Sequence, residues 1–309
     1  MSRIRKIGAA LTGVALALSL AACGADEDPL ANDSGGAGDS GSVTVGSANF
    51  TESELLGEIY SQALEAKGVT VTRQFNIGAR ELYLKALQDG SIDLLPEYNG
   101  ALLAALSSGG APEGVSKPED VLTALKKVLP AGTEVLEQSP AEDKDTLTVT
   151  AETAAKYNLK TIDDLKAVAN QLVIGAGPEW AERYQGLKGL KELYGIEFKD
   201  FKPLDAGGPL TVNALKGGDI QVANIFSTDS SIVQNKFVVL EDTKNLYLAE
   251  NIIPLIRTES NNATVTGALN GVSAKLTTEN LTEYLAKVQV DKQDTATVAK
   301  AWLTANGLV

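Results

Sequence analysis

The chain has 309 residues, 44% of them hydrophobic and 22% charged, with a net charge of −13. That length exceeds what one hydrophobic core usually supports, so two lobes are expected, and the acidity argues against nucleic acid or an anionic membrane surface as a direct partner. There is no histidine and a single cysteine, Cys23, which removes the commonest general base, the commonest metal ligand, any intrachain disulfide and any thiolate metal site; no metal, no cofactor and no enzymatic activity are expected.

Residues 1–23 open with Arg3, Arg5 and Lys6, followed by an apolar run from Ile7 to Leu20. The run is short for a bilayer span and has the flanks of a secretory signal. It ends Leu20-Ala21-Ala22-Cys23-Gly24, which resembles a bacterial lipobox and implies cleavage before Cys23 with lipid on that residue. Loss of the three basic residues would take the charge from −13 to −16. Residues 24–42, rich in Gly, Ser, Asp and Ala, have too few large apolar groups to pack and read as a flexible tether. Together these features predict an extracytoplasmic protein that touches the cell membrane through its lipid alone.

From residue 43 the chain reads as alternating strands and helices. Val43–Gly46 alternates like a strand. Leu55, Leu56, Ile59, Tyr60, Ala63 and Leu64 fall at helical spacing within a helix expected over 54–67, with Asn49 as a cap or Thr51 and Glu54 as a capping box. Val69–Phe75 is a strand. Arg80–Asp89 is a helix with Leu82, Ala86 and Leu87 inward, closed by Gly90. Ile92 to Leu95 is a buried strand expected to stop at Pro96, because proline cannot donate to a ladder.

The same order returns in the second half. Leu172–Gly175 is a strand, 184–194 a helix ended by Gly195, 198–204 a strand, 208–216 a helix stopped by Gly217-Gly218, and 219–226 a strand. Ala86-Leu87…Gly90-x-Ile92 superposes on Ala214-Leu215…Gly218-x-Ile220 without a gap, an internal repeat. Eight places on from each glycine stand Tyr98 and Phe226. Leu147–Thr150 and Asn251–Ile256 are expected to cross between the halves. The helical tail 277–308, with Trp302 and Leu303, is expected to pack on the first lobe. The predicted architecture is α/β and two-lobed, with lobe I as 43–145 plus 253–309 and lobe II as 146–252. Each lobe is a mixed sheet flanked by helices. Ligands in such sheets bind beyond the carboxyl ends of the strands, so Tyr98 and Phe226 are candidate walls of one site.

Val45-Gly46-Ser47-Ala48-Asn49-Phe50-Thr51-Glu52, Gly78-Ala79-Arg80-Glu81, Leu95-Pro96-Glu97-Tyr98-Asn99-Gly100 and Phe226-Ser227-Thr228-Asp229 resemble the osmoprotectant branch of ABC-transporter substrate-binding proteins, over essentially all of 43–309. The resemblance implies the two-lobed (type II-like) periplasmic-binding-protein fold, a monomer, and a small solute of the glycine betaine, choline, carnitine or proline betaine kind. The implied partners are an ABC permease and its ATPase. In that family aromatic rings hold a quaternary ammonium through cation–π attraction, and an arginine takes the ligand carboxylate as a forked donor.

Carried over by position, Tyr98 and Phe226 are facing walls, Arg183 the carboxylate anchor and Trp180 a further face, with Asn49 and Thr228 as polar contacts. Asp145 stands where relatives have a box tyrosine, and Asn251 where they have another aromatic. Asp143 or Asp145 would then act as a counter-charge. An incomplete box fits a larger polar or aromatic ligand as well. Duller readings stand beside these: Tyr98 and Phe226 as core rings, Trp180 as packing, Arg183 paired with Glu179 one helical turn earlier, and Asn49 as a cap. Gly175-Ala176-Gly177 lacks the third glycine of a dinucleotide fingerprint, and there is no Gly-x-Ser-x-Gly. A lipid-anchored hydrolase using carboxylate pairs and a sensory binding protein remain the rival functions.

Overall fold

The computed structural model describes residues 41–107, 110, 112 and 114–309. The expected leader, Cys23 and the tether as far as residue 40 lie outside the described residues. No helix among the described residues is long and apolar enough to cross a membrane.

In chain order the first half runs β1 (Ser42–Gly46), α1 (Thr51–Glu65), β2 (Thr70–Gln74), α2 (Arg80–Asp89), β3 (Leu94–Tyr98), α3 (Asn99–Leu106), α4 (Pro118–Leu125) and β4 (Thr133–Val135). Then come β5 (Asp145–Val149), α5 (Ala151–Tyr157), β6 (Val173–Ala176), β7 (Asp200–Pro203), α6 (Pro209–Gly217), β8 (Val222–Phe226), α7 (Ser230–Asn235) and β9 (Val238–Val239). The chain closes with β10 (Ile252–Arg257), α8 (Ala263–Ser273), α9 (Thr278–Gln289) and α10 (Thr295–Ala305).

Two five-stranded sheets result, ordered β2-β1-β3-β10-β4 and β7-β6-β8-β5-β9. The repeat is visible in that order. Each sheet has three parallel strands with the first in sequence between the other two, then an antiparallel strand from a segment that passes between lobes, then a short edge. The predicted two-lobed α/β architecture, a mixed sheet flanked by helices in each lobe, is the observed one. The segments expected to cross are the antiparallel strands themselves: β5 pairs Asp145 with Phe226 and Val149 with Val222, and β10 pairs Ile252 with Tyr98.

The helical tail divides into α9 and α10. Trp302, fully buried, and Leu303 join Leu281, Leu285 and the α1 residues Leu55, Leu56 and Ile59 in one cluster on the first sheet. α2 and α6 end alike, at Gly90 (φ 80°) and Gly218 (φ 79°), in a left-handed conformation that costs glycine little.

Four local expectations are corrected. Thr51 is the first residue of α1, which Phe50 precedes with no side-chain cap, so neither Asn49 nor a Thr51–Glu54 box closes that end; instead Ser53 Oγ accepts from the Ala48 amide at 2.9 Å. Leu82 points outward, 57% exposed, and Tyr83 takes the inward place. Pro96 lies inside β3 rather than ending it, opposite Pro254 of β10. The carbonyl of Pro254 turns to the other side and accepts from Leu136 N at 3.1 Å. Between β3 and β10 the two prolines therefore face each other at a non-hydrogen-bonded position, so this pairing asks neither for a donor. Finally, the helix expected at 184–194 is two wide π-type turns, Tyr184–Lys188 and Leu190–Tyr194, broken by extended geometry at Gly186 (φ −110°, ψ −141°).

The repeat also reaches into packing. A Cβ added at Gly46 would come within 2.7 Å of Ile92 Cδ1, and one at Gly175 within 2.6 Å of Ile220 Cδ1. Each first-strand glycine is thus the hollow that the isoleucine after the repeat glycine fills. Overpacking of this kind costs about 1–3 kcal/mol. Gly46→Val and Gly175→Val are each expected to lower stability by that amount in urea titration. Gly46→Ala combined with Ile92→Val is expected to cost less than the sum of its parts, because the shorter side chain vacates the clash.

Candidate functional site

The carboxyl ends of both sheets meet at a cavity. Its walls come from the loop after β1 (Ala48, Asn49, Phe50), the start of α2 (Ala79, Arg80, Tyr83), the end of β3 (Tyr98) and α3 (Ala101). The opposite side brings Gly177, Glu179, Trp180 and Arg183 after β6, Ala206 before α6, and Asn224 and Phe226 of β8; the interlobe segments add Asp143, Asp145 and Glu250. Space open to the centre of a water-sized sphere is about 50 Å³. One water needs roughly 10–15 Å³ by the same measure, so the cavity is a slot of small-solute size.

Tyr98 and Phe226 share this hollow, with Phe50 between them. The ring centres of Phe50 and Tyr98 are 6.1 Å apart and those of Phe50 and Phe226 4.9 Å, both pairs tilted. The aromatic side is a continuous row from first lobe to second.

Polar groups tie the lobes together beside that row. Glu52, buried on α1, accepts from Tyr98 Oη at 2.8 Å and from Thr228 Oγ1 at 2.5 Å, one hydroxyl from each lobe. Asp143 accepts from the Thr228 amide at 3.0 Å and Ser227 Oγ at 3.1 Å. Burial pushes the Glu52 carboxyl up. It pushes Asp143 up as well, and the charge of Glu52 adds to the rise. Arg183 reaches across to Glu81 of α2 with Nε and Nη2 at 3.0 and 2.9 Å. Farther out, Gln289 of α9 accepts from Ser230 Oγ and donates to Asp229, each at 2.8 Å.

Beneath the row, Arg80 grips Glu97 through Nε and Nη2 at 2.9 and 3.1 Å; Tyr83 Oη also donates to Glu97, and Glu97 accepts from the Tyr98 amide at 2.8 Å. This buried cluster fixes where Tyr98 starts. Removing one partner of such a pair typically costs 3–5 kcal/mol.

Of the residues singled out in the sequence, Asn49, Tyr98, Asp143, Asp145, Trp180, Arg183 and Phe226 line this cavity. Thr228 and Asn251 do not. Thr228 gives its hydroxyl to Glu52 and lines an adjoining hollow with Asn49, Phe50 and Phe226. Asn251 donates its amide to the Ser139 carbonyl at 3.0 Å, away from the cavity. Successive side chains of an extended segment point to opposite sides, and here it is Glu250 that faces the slot. Arg183 is held by Glu81 at both prongs, while its Nη1 lies 3.9 Å from Glu179, the partner expected from helical spacing. The sequence reading missed Phe50, Glu52, Arg80, Tyr83 and Glu250. Phe50, Glu52 and Arg80 lay inside the quoted motifs, but nothing in their spacing said which way they point.

A cavity closed from two sides by paired sheet ends is the arrangement of a two-lobed solute-binding protein. The chain belongs to the OpuAC family, the substrate binding domain of the ABC-type glycine betaine transport system, whose model matches residues 41–305. It is a substrate-binding protein of an ABC importer, with a small-molecule solute and permease and ATPase subunits as partners, and families of this kind work outside the cytoplasm. The carnitine transport binding protein OpuCC of Listeria monocytogenes is 27% identical over 275 residues, 85% of this chain and 86% of that one. A glycine-betaine-binding protein of Pseudomonas aeruginosa is 25% identical over 284 residues, covering 86% and 88%. A crystal structure of a glycine betaine/carnitine/choline ABC transporter, 23% identical, superposes with a TM-score of 0.66 over 86% of this chain and 99% of its own, and shares the fold.

The Glu52–Asp143 pair has a pH signature. A carboxyl whose pKa is higher folded than unfolded keeps its proton in the fold after the unfolded chain has lost it. Its contribution is complete below the unfolded pKa and falls as pH rises through the folded one. Relative to Glu52→Gln, the wild type is therefore expected to lose thermal stability as pH rises from the ordinary carboxylate range towards neutrality. Scanning calorimetry of both chains across that range checks the sign.

Proposed function

We propose that the chain is a receptor anchored to the outer face of the cell membrane through a lipid on Cys23. It works as a monomer, closes its lobes (43–145 plus 253–309, and 146–252) on a small osmoprotectant-like solute of the glycine betaine or choline type, and hands it to the permease. The observation that carries this reading is the shared slot itself: rings from both lobes line one space of small-molecule size, beside a carboxyl, Glu52, that is gripped by both. The curated relatives named for carnitine and glycine betaine support the ligand type.

Ligand that binds only the folded chain raises its melting temperature by mass action. Thermal shift against glycine betaine, carnitine, proline betaine, choline and aromatic zwitterions is expected to show a saturable rise of several degrees with at least one small solute. Tyr98→Ala or Phe226→Ala is expected to weaken that binding by about 10–100-fold, the loss of one ring face and its packing. A flat response to the whole panel, or full affinity in both variants, would contradict the reading.

A further inference from the structure

We propose that Trp180 reads the oxygen-bearing end of the solute. Its indole Nε1–H donates to a carboxylate or hydroxyl oxygen, so the slot selects ammonium solutes that carry such an acceptor. This rests on the reading of the slot as a solute site and names the residue that sets the solute's direction within it.

The first ground is an orphaned donor. Trp180 lines the slot and is 2% exposed. Its Nε1 is buried and has no hydrogen-bond partner among the described residues. A buried tryptophan N–H usually finds a partner, and one left unmade costs the full desolvation of the group. An indole N–H donates and does not accept. What completes it is therefore an acceptor, and a trimethylammonium group has none.

The second ground is what the other donors of the lining do. Tyr83 gives its hydroxyl to Glu97 and Tyr98 its own to Glu52, while Asn224 gives its amide to Asp145 and to the Thr146 carbonyl. Arg80 spends Nε and Nη2 on Glu97, and Arg183 spends the same two atoms on Glu81. Asn49 is exposed. Nη1 of each guanidinium remains, but among the described residues of the lining Trp180 Nε1 is the one polar side-chain atom that is both buried and unpartnered. Burial pushes the Asp143, Asp145 and Glu250 carboxyls up. A carboxyl that keeps its proton sets no negative charge against a solute carboxylate.

The third ground is that the indole is held in place. Its ring belongs to the second-lobe cluster with Leu190 and Tyr194. The extended break at Gly186 lets the chain close over it: a Cβ there would stand 1.7 Å from the Trp180 carbonyl oxygen and 3.1 Å from Cδ2. A donor fixed in this way loses little freedom when it bonds a solute. Phe50, Tyr98 and Phe226 already supply ring faces for the ammonium end, so Trp180 is not required as another.

Trp180→Phe keeps a ring and removes the N–H. Three probes share a methylated ammonium: glycine betaine ends in a carboxylate, choline in a hydroxyl, and tetramethylammonium has no acceptor. In calorimetric titration of the full chain, Trp180→Phe is expected to weaken glycine betaine by about 10–100-fold, the worth of a hydrogen bond to a charged group. Choline is expected to lose less, and tetramethylammonium to keep its affinity. A loss of packing, or of a ring face, would instead weaken all three alike. The wild type gives a second readout. The chain has two tryptophans, and Trp302 Nε1 already donates to Asn280 Oδ1 at 3.2 Å, outside the slot lining. In magnetic resonance spectra of isotope-labelled protein, saturating glycine betaine is expected to move one indole N–H signal downfield, the one missing from Trp180→Phe, and to leave the other in place. Should the variant lose its melting transition, the wild-type signals decide. Both indole signals unmoved with glycine betaine bound, equal weakening of the three probes in the variant, or glycine betaine binding no tighter than tetramethylammonium would overturn this inference and leave the transport reading standing. Failure of all three probes together with the wider panel would overturn both.

Discussion

Glu52 is held by a hydroxyl from each lobe. Tyr98 stands at the end of a strand in the first sheet and Thr228 just past the end of a strand in the second, and both donate to this one buried carboxylate. A hydrogen bond is strong where water is excluded, and leaving this buried carboxyl unpaired there would be costly. The juxtaposition of the two sheet ends, and so the existence of a slot between them, depends on that acceptor being satisfied from both sides. Arg183 on Glu81 and Gln289 on Ser230 and Asp229 repeat the arrangement nearer the surface, where solvent weakens it.

The interior of the slot is less settled energetically than its frame. Under the aromatic row, Arg80, Glu97 and Tyr83 form a cluster in which each group has its partner. In the slot, Asp145 accepts from Asn224 and Glu250 from Gln185, and burial pushes both carboxyls up. The acids sit on the two segments that pass between lobes, so charge at the site and the geometry of closure are carried by the same short stretches of backbone.

Much of the frame was legible in the sequence. The gapless match from Ala86 to Ile92 with Ala214 to Ile220 reflects a real equivalence: the glycines adopt the same left-handed cap, the isoleucines fill the same hollow beside Gly46 and Gly175, and Tyr98 and Phe226 reach one cavity. Periodicity failed where tertiary contacts override it. Leu82 has the helical spacing of a core residue, but Tyr83 takes the buried place because its hydroxyl serves Glu97. Pro96 reads as a strand end, and only its pairing with Pro254, some 158 positions on, shows that the β3–β10 ladder asks no donor of it. The site was half legible for a similar reason. Spacing finds residues at strand ends, but it does not say that Arg183 is already clasped by Glu81, nor that Glu250 rather than Asn251 faces the slot. Those facts depend on side-chain direction and on partners more than 60 residues away.

Closure of the lobes on a solute is the most direct thing to measure. Leu82 and Leu210 are equivalent positions in the repeat, one on each lobe, 57% and 62% exposed, and near helix starts that border the slot. Spin labels on Leu82→Cys and Leu210→Cys, with Cys23→Ser, report the distance between lobes by pulsed electron resonance. The account predicts a broad, longer distribution without solute that becomes short and narrow at saturation. The same distribution with and without a solute that demonstrably binds would contradict it.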